Sequence, residues 1–167
     1  MAKIISIANQ KGGVGKTTTT INLSSLLAAA EKRTLLVDID PQSNSSSGLS
    51  VTNQTPSVYE VLVGTRNISE VIINTFMPFL DMLPSNINLV GAEIEMVDME
   101  NRETLLRSAL TEVNDKYDYI LIDCPPSLGL LTLNSLTASN SVLIPVQCEY
   151  FALEGLGKLL NTIKIIQ

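Results

Sequence analysis

The chain has 167 residues, enough for one well-packed domain. It is 45% hydrophobic and 17% charged, with a net charge of −6, two cysteines and no histidine. That composition fits a soluble globular protein and excludes histidine as base or metal ligand. The acidic balance, with Lys and Arg scattered, is a poor match for DNA. No apolar run approaches the ~20 residues of a membrane span. No basic segment followed by an apolar stretch and a cleavage site opens the chain, so a secretory leader is not expected. Cys124 and Cys148 lack metal-site spacing and fit free thiols in a reducing cytoplasm.

In chain order, Lys3 to Ala8 (KIISIA) reads as a buried strand, followed by the glycine-rich KGGVGKTT. Ile21 to Ala30 reads as a helix and Thr34 to Ile39 (TLLVDI) as a second buried strand. From Asp40 to Pro56, DPQSNSSSGLSVTNQTP has the composition of a loop, and one this long is functional or mobile. Ser57 to Val63 and Ser69 to Ile73 read as short helices around Gly64, and Leu80 to Pro84 as a weaker strand. Ile87 to Val113 carries a helical pattern. Tyr117 to Ile122 (YDYILI) is a strand stopping at Asp123 and a Pro-Pro turn; Leu128 to Ala138 is helical, and Ser141 to Val146 is another strand. From Leu153 onward, Leu153, Leu156, Leu160, Ile163 and Ile166 form a helical stripe.

Strands and helices alternate, and the strands are continuous apolar runs. Both sheet faces are therefore expected to be covered, as in an α/β fold with a mostly parallel sheet and helices on both faces. No internal repeat or second domain is visible, so residues 1–167 read as a single domain. The last helix reaches Gln167 with no glycine cap or following proline and its stripe still running. The expectation is a domain lacking its C-terminal portion.

KGGVGKTT follows a strand and precedes a helix, the setting in which a glycine loop binds phosphate. Gly12, Gly13 and Gly15 let successive N–H groups point inward, and the next helix adds its N-terminal partial charge. Lys16 is expected to reach the β- and γ-phosphates, Thr17 to place its hydroxyl on Mg²⁺, and Thr18 to bond the α-phosphate. The usual G-x-x-x-x-G-K-[ST] pattern wants glycine five residues before Gly15, where this chain has Gln10. The loop is thus a departure from the ordinary phosphate-loop pattern, and Lys11 has no task that the loop alone demands.

Mg²⁺ prefers a carboxylate or two plus waters. Two strands end in acids, at Asp38 and Asp40 and at Asp123, and in a parallel sheet those ends share one edge with the phosphate loop. Asp123, after an apolar strand, has the Walker B layout, and Asp38 or Asp40 is placed to join it. Without histidine, an acid orients the attacking water or the substrate supplies the base. Phosphoryl transfer needs positioning more than a strong base, so slow, switch-like turnover is expected.

Together, KGGVGKTT with Lys11, TLLVDIDPQ and YDYILIDCPPSLG resemble the ParA/Soj/MinD family of deviant Walker ATPases, the chromosome-partitioning ParA/Soj branch above all. SVLIPVQCEYFALEGL and GAEIE also resemble that branch. The resemblance implies a P-loop NTPase fold, ATP and Mg²⁺ as ligands, and slow, partner-stimulated hydrolysis. It implies that Lys11, Gly12, Gly13, Val14, Gly15, Lys16, Thr17 and Thr18 hold the nucleotide. Lys11 would reach across an ATP-sandwich homodimer to the partner subunit's ATP. Asp40 would lie near the attacking water, and Thr17, Asp40 and Asp123 would serve Mg²⁺, the acids through water. It further implies a ParB-type partner, non-specific DNA binding by basic residues beyond this chain, a cytoplasmic, nucleoid-associated location, and no membrane. The usual DPQGN reads DPQSN here, with Ser43 expected to stiffen the loop. A MinD-type membrane-associated ATPase would need a C-terminal amphipathic helix, which this chain does not show; an iron–sulfur carrier ATPase would need its cysteines to meet across a dimer.

Smaller features have plain readings. Cys124 reads as a buried structural thiol, Met96, Met99 and Leu105 as packing, Ser45 to Ser47 as a solvated loop, and Glu93, Glu95, Asp98, Glu100 and Glu103 as an exposed acidic helix face.

Overall fold

The computed structural model describes residues 1–52, 55–148 and 152–166, with the side chains of 152–155 and 166 outside the description. Six strands form one sheet: β1 (Lys3–Ile7), β2 (Thr34–Asp38), β3 (Ile73–Asn74), β4 (Leu80–Leu83), β5 (Tyr119–Asp123) and β6 (Ser141–Leu143). Their order is β3-β4-β2-β5-β1-β6, with every pairing parallel except β3–β4. The helices are α1 (Lys16–Ala29), α2 (Asn44–Gly48), α3 (Val58–Leu62), α4 (Ile68–Val71), α5 (Leu89–Glu95), α6 (Leu105–Thr111), α7 (Leu130–Ala138) and α8 (Ala152–Ile166).

The apolar runs explain this layering. All five residues of β2 are buried, because the strand is covered on both faces. Leu35 and Val37 join Ile120 and Ile122 in the larger core cluster, whereas Leu36 joins Leu80, Met82 and Ala28 of α1 on the other face. β6 is only half-buried because it borders the sheet beside β1 alone. Its regular pairing stops at Leu143, short of the expected Val146.

α1 starts at Lys16, five residues before the expected Ile21. Thr17 to Thr20 are poor helix formers, but tertiary packing overrides propensity. The Thr20 hydroxyl donates to the Lys16 carbonyl at 2.9 Å, and Asn22 donates to that of Thr18 at 2.8 Å. The buried stripe is Lys16, Thr20, Ser24 and Ala28, small or polar, so hydrophobic periodicity misses it.

The long pattern from Ile87 to Val113 is not one helix. It breaks into α5, a 3-10 turn at Met96–Asp98, and α6, with Met99 extended and Asn101 at φ 55°. Asn134 of α7 holds this break. Its side chain accepts from the Leu106 amide at 3.1 Å and donates to the carbonyls of Arg102 at 2.7 Å and Leu130 at 3.0 Å. It thereby satisfies an orphan amide of α6, whose own N-cap, Thr104, caps no helix amide and donates its hydroxyl to the Asn101 carbonyl instead. The acidic residues of the stretch accordingly do not share one helix face. Met96 is fully buried, and Met99 and Leu105 pack against the core as expected.

Ile73–Asn74, expected at a helix end, forms the antiparallel edge strand. On α8, Leu159 is buried and Leu160 is 44% exposed, so the inward face is shifted from the expected stripe. The side chains of Leu153 and Ile166 lie outside the described residues, as do Glu149, Tyr150 and Phe151.

Asn134→Ala removes three hydrogen bonds at a fully buried position. It is expected to cost about 2–3 kcal/mol in urea unfolding and to speed proteolysis between residues 99 and 104. Unchanged stability and cleavage would contradict the pinning role.

Candidate nucleotide and metal site

β1 ends at Ile7 and the chain turns through residues 9–15 into α1. Gly13 and Gly15 adopt φ 72° and 89°, the left-handed region where a Cβ is strained, so glycine is required at both. The curl leaves a cleft of about 350 Å³ lined by Gly12, Gly13, Gly15, Lys16, Thr17 and Thr18, with Asp40, Gln42, Asn44 and Pro126 opposite. Val14 is buried behind it. Cavities of about 410 and 440 Å³ elsewhere contain none of the predicted site residues.

The loop is braced from the segment after β6. Asn9 donates to the Pro145 carbonyl at 2.7 Å and accepts from the Lys11 amide at 3.0 Å; Gln147 donates to the Gly13 carbonyl at 3.1 Å. The Lys11 ammonium lies 3.5 Å from the Gln147 side-chain oxygen. Lys16 Nζ donates to the Lys11 carbonyl at 3.1 Å. Burial lowers the Lys16 pKa, while the charges of Asp123 and Asp40 favour its ammonium form.

Register sets the carboxylates. Asp38 is the Cα partner of Asp123 across the β2–β5 pair. Residues in register share a face, and this is the face of Leu36, towards α1. Both acids are buried, at 0% and 1% exposure. Burial, then the charge of Asp123, pushes Asp38 up to about 7, against hydrogen bonds from the Ser46 hydroxyl and amide. Burial and the charge of Asp40 also raise Asp123, against hydrogen bonds from Ser45, Thr17 and Thr20.

The serines of α2 supply those donors. Ser45 Oγ donates to Asp123 at 2.6 Å, and Ser46 Oγ and N donate to Asp38 at 2.7 and 2.8 Å. Asp40 is 7% exposed and accepts from the Gln42 amide at 2.9 Å. Ser85, after β4, donates its hydroxyl to the Asp40 carbonyl at 2.8 Å and its amide to Ser46 Oγ at 3.0 Å. The run Ser45 to Ser47 is therefore not a solvated loop: two of its three hydroxyls hold buried carboxylates, and only Ser47 is exposed. Asn53 and Gln54 of the long loop lie outside the described residues. Ser43 sits at φ 47°, which explains in conformational terms why glycine is comfortable there.

Lys16, Thr17 and Asp40 thus line one cleft, while Asp123 is buried next to it, bonded by Thr17, with Asp38 as its neighbour in register. Lys11 is beside the cleft but turned along the segment after β6. Asn9, Ser45, Ser46, Ser85 and Gln147 escaped the sequence reading; Asn9, Ser45 and Ser46 had only nearness to the predicted loop and acids as a signal, and Ser85 and Gln147, 45 and 134 residues from their partners, had none. Among the described residues no three His, Cys, Asp or Glu side chains form a metal cluster. The donor set of one hydroxyl and two spaced carboxylates fits a hydrated Mg²⁺ that also takes phosphate oxygens. Cys124 is fully buried, with its thiol pushed up to about 12 by burial, whereas Cys148 is exposed.

A family model described as an AAA domain matches residues 2–167. Soj, the sporulation initiation inhibitor of Bacillus subtilis, is 57% identical over 169 residues, covering 100% of this chain and 67% of Soj. The chromosome partitioning protein ParA of Myxococcus xanthus is 56% identical, covering 100% of this chain and 60% of that protein. The chain belongs to the ParA/Soj family of AAA-domain ATPases. It spans about two thirds of the length of these relatives. Two solved structures resemble this ParA/Soj-family chain closely. One is a cobyrinic acid a,c-diamide synthase of Mycobacterium smegmatis with bound ADP and magnesium, at TM-score 0.96 and 42% identity, covering 100% of this chain and 69% of that one. The other is a plasmid partition protein of Borrelia burgdorferi bound to AMPPNP, at TM-score 0.91 and 34% identity, covering 99% and 70%. The ParA/Soj fold class expected from sequence, an α/β P-loop fold, is the one observed.

Ser45→Ala removes a donor from buried Asp123. It is expected to lower nucleotide-free stability by about 1–2 kcal/mol in urea unfolding, whereas Ser47→Ala, at an exposed position, changes it little. Equal effects would show that Ser45 does not tether α2.

Proposed function

We propose that this chain is the nucleotide-handling part of a partition ATPase that binds ATP with Mg²⁺, dimerises around it and hydrolyses it slowly. The observation that carries the reading is the convergence of Lys16, Thr17 and Asp40 on the glycine-loop cleft, with buried Asp123 bonded by Thr17 and acting on the charge of Lys16. The names of two relatives, 56% and 55% identical over the aligned residues, support a role in chromosome partitioning. Those identities exceed that of the diamide synthase, so the partition reading is preferred.

In this reading the backbone amides of Gly12 to Lys16 cradle the phosphates, and Thr18 bonds the α-phosphate. Lys16 exchanges the Lys11 carbonyl for β- and γ-phosphate oxygens, and the charges of Asp123 and Asp40 oppose the lowering of its pKa by burial. Thr17, with Asp40 and Asp123 through water, would hold Mg²⁺, which supplies neutralisation of phosphate charge. Asp40 orients the attacking water. Lys11 leaves Gln147 and neutralises the γ-phosphate of the partner subunit's ATP, where charge develops during transfer. Residues 1–167 act as one ATPase domain whose DNA contacts lie in the third of the relatives' length that the chain does not span. Self-association, a ParB-type stimulating partner, non-specific DNA and a cytoplasmic, nucleoid-associated location belong to the same proposal. Among the described residues no helix is long and apolar enough to cross a membrane.

With ATP and Mg²⁺, the protein is expected to dimerise in multi-angle light scattering, and Lys11→Ala to remain monomeric while still binding ATP. Dimerisation and turnover of Lys11→Ala equal to the parent would overturn the trans-acting role.

A further inference from the structure

α5 is apolar on two opposite sides. Leu89, Ala92 and Met96 are fully buried in the core. Ile87, Val90, Ile94 and Val97 point away and are 68%, 54%, 74% and 50% exposed. The helical path runs through all four, since the amides of Leu89, Val90 and Gly91 already bond to the carbonyls of Asn86, Ile87 and Asn88, and the 3-10 turn Met96–Asp98 extends the far end. At 100° per residue Val90 and Ile94, both on α5, lie about 40° apart, across the helix from the buried Leu89 and Ala92; Ile87 stands in the turn leading into the helix and Val97 in the 3-10 turn after it. Isolated exposed aliphatics need no explanation, but an aligned stripe of four marks a contact surface.

Charge on the rims is of one sign. Glu93 borders one side, Glu95 and Asp98 the other, and Glu100 follows. Glu93 approaches the start of α7, 3.5 Å from the Leu131 amide, and Glu95 accepts from the Tyr59 hydroxyl at 2.9 Å while remaining exposed. The nearby cation, Arg102, is paired with Glu103 at 3.1 Å and also donates to the Val97 carbonyl. A second copy of the stripe would bring carboxylate against carboxylate. An anionic bilayer would be repelled likewise, and the stripe lacks the aromatic and basic residues of a membrane-surface helix.

We propose that the outer face of α5 is a docking surface for a basic amphipathic helix of a partner protein. Aliphatic side chains of that helix would cover Ile87, Val90, Ile94 and Val97, and its flanking Lys or Arg would meet Glu93, Glu95 and Asp98. The surface is separate from the nucleotide cleft, so it stands or falls independently of the ATPase reading.

The test uses a fluorescein-labelled Leu/Lys peptide of about 16 residues with helical apolar spacing, a scrambled version of the same composition, and a Leu/Glu version. In anisotropy titrations at 0.15 M salt, the patterned Leu/Lys peptide is expected to bind at least about tenfold more tightly than either control. The charge-neutral double variant Val90→Ser with Ile94→Ser is expected to lose about tenfold, and Glu95→Lys with Asp98→Lys to lose as much, both with unchanged circular dichroism. These four side chains are exposed, so the variants fold. Equal binding of patterned and scrambled peptides, or binding insensitive to both double variants, overturns the proposal. Self-association or vesicle binding that the Ser variants abolish, with no preference for the patterned peptide, assigns the stripe to a second copy or a bilayer and overturns it as well.

Discussion

Two buried carboxylates placed side by side at the ends of adjacent strands govern the rest of this structure. Asp38 and Asp123 are register partners on one face, and neither reaches solvent. Buried acids in that position are costly unless donors surround them. The donors come from two directions, threonines of α1 and serines of α2. Satisfying those acids therefore fixes where α1 starts and folds part of the Ser-rich segment into a short helix. It also draws Ser85, and with it the start of the α5 segment, against the same network.

The arrangement gives phosphate chemistry a physical footing. The glycine loop offers backbone amides, and the acids that also suit a metal ion offset part of the burial that lowers the pKa of Lys16. Lys16 and Asp40 line the same cleft, and Asp123 is close enough for its charge to favour the ammonium. The braces from Asn9 and Gln147 tie that loop to the segment after β6, where Lys11 also rests.

Much of this was legible in the sequence because it depends on strong local signals. Continuous apolar strands forecast the covered parallel sheet, and the glycine spacing together with strand-end acids forecast the cleft. What was missed depends on contacts distant in sequence. The start of α1 was obscured by four threonines, of which Thr17 and Thr20 bond Asp123 through their hydroxyls. Ser45 and Ser46 look like any polar loop until strand register shows which acids they face. The break between α5 and α6 hides inside an unbroken helical period because it is made by Asn134, some thirty residues away. The apolar outer face of α5 was likewise masked, since periodicity counts apolar residues without saying which of two faces is inside.

We propose that Asp123, held by Ser45, is the acid through which this chain couples nucleotide to Mg²⁺. Calorimetric titration of ATP with and without Mg²⁺ tests it most directly, on the parent and on Asp123→Ala. The parent should bind more tightly with Mg²⁺, and Asp123→Ala should lose most of that difference while retaining its Mg²⁺-free affinity. A Mg²⁺ increment left intact in Asp123→Ala would contradict the account.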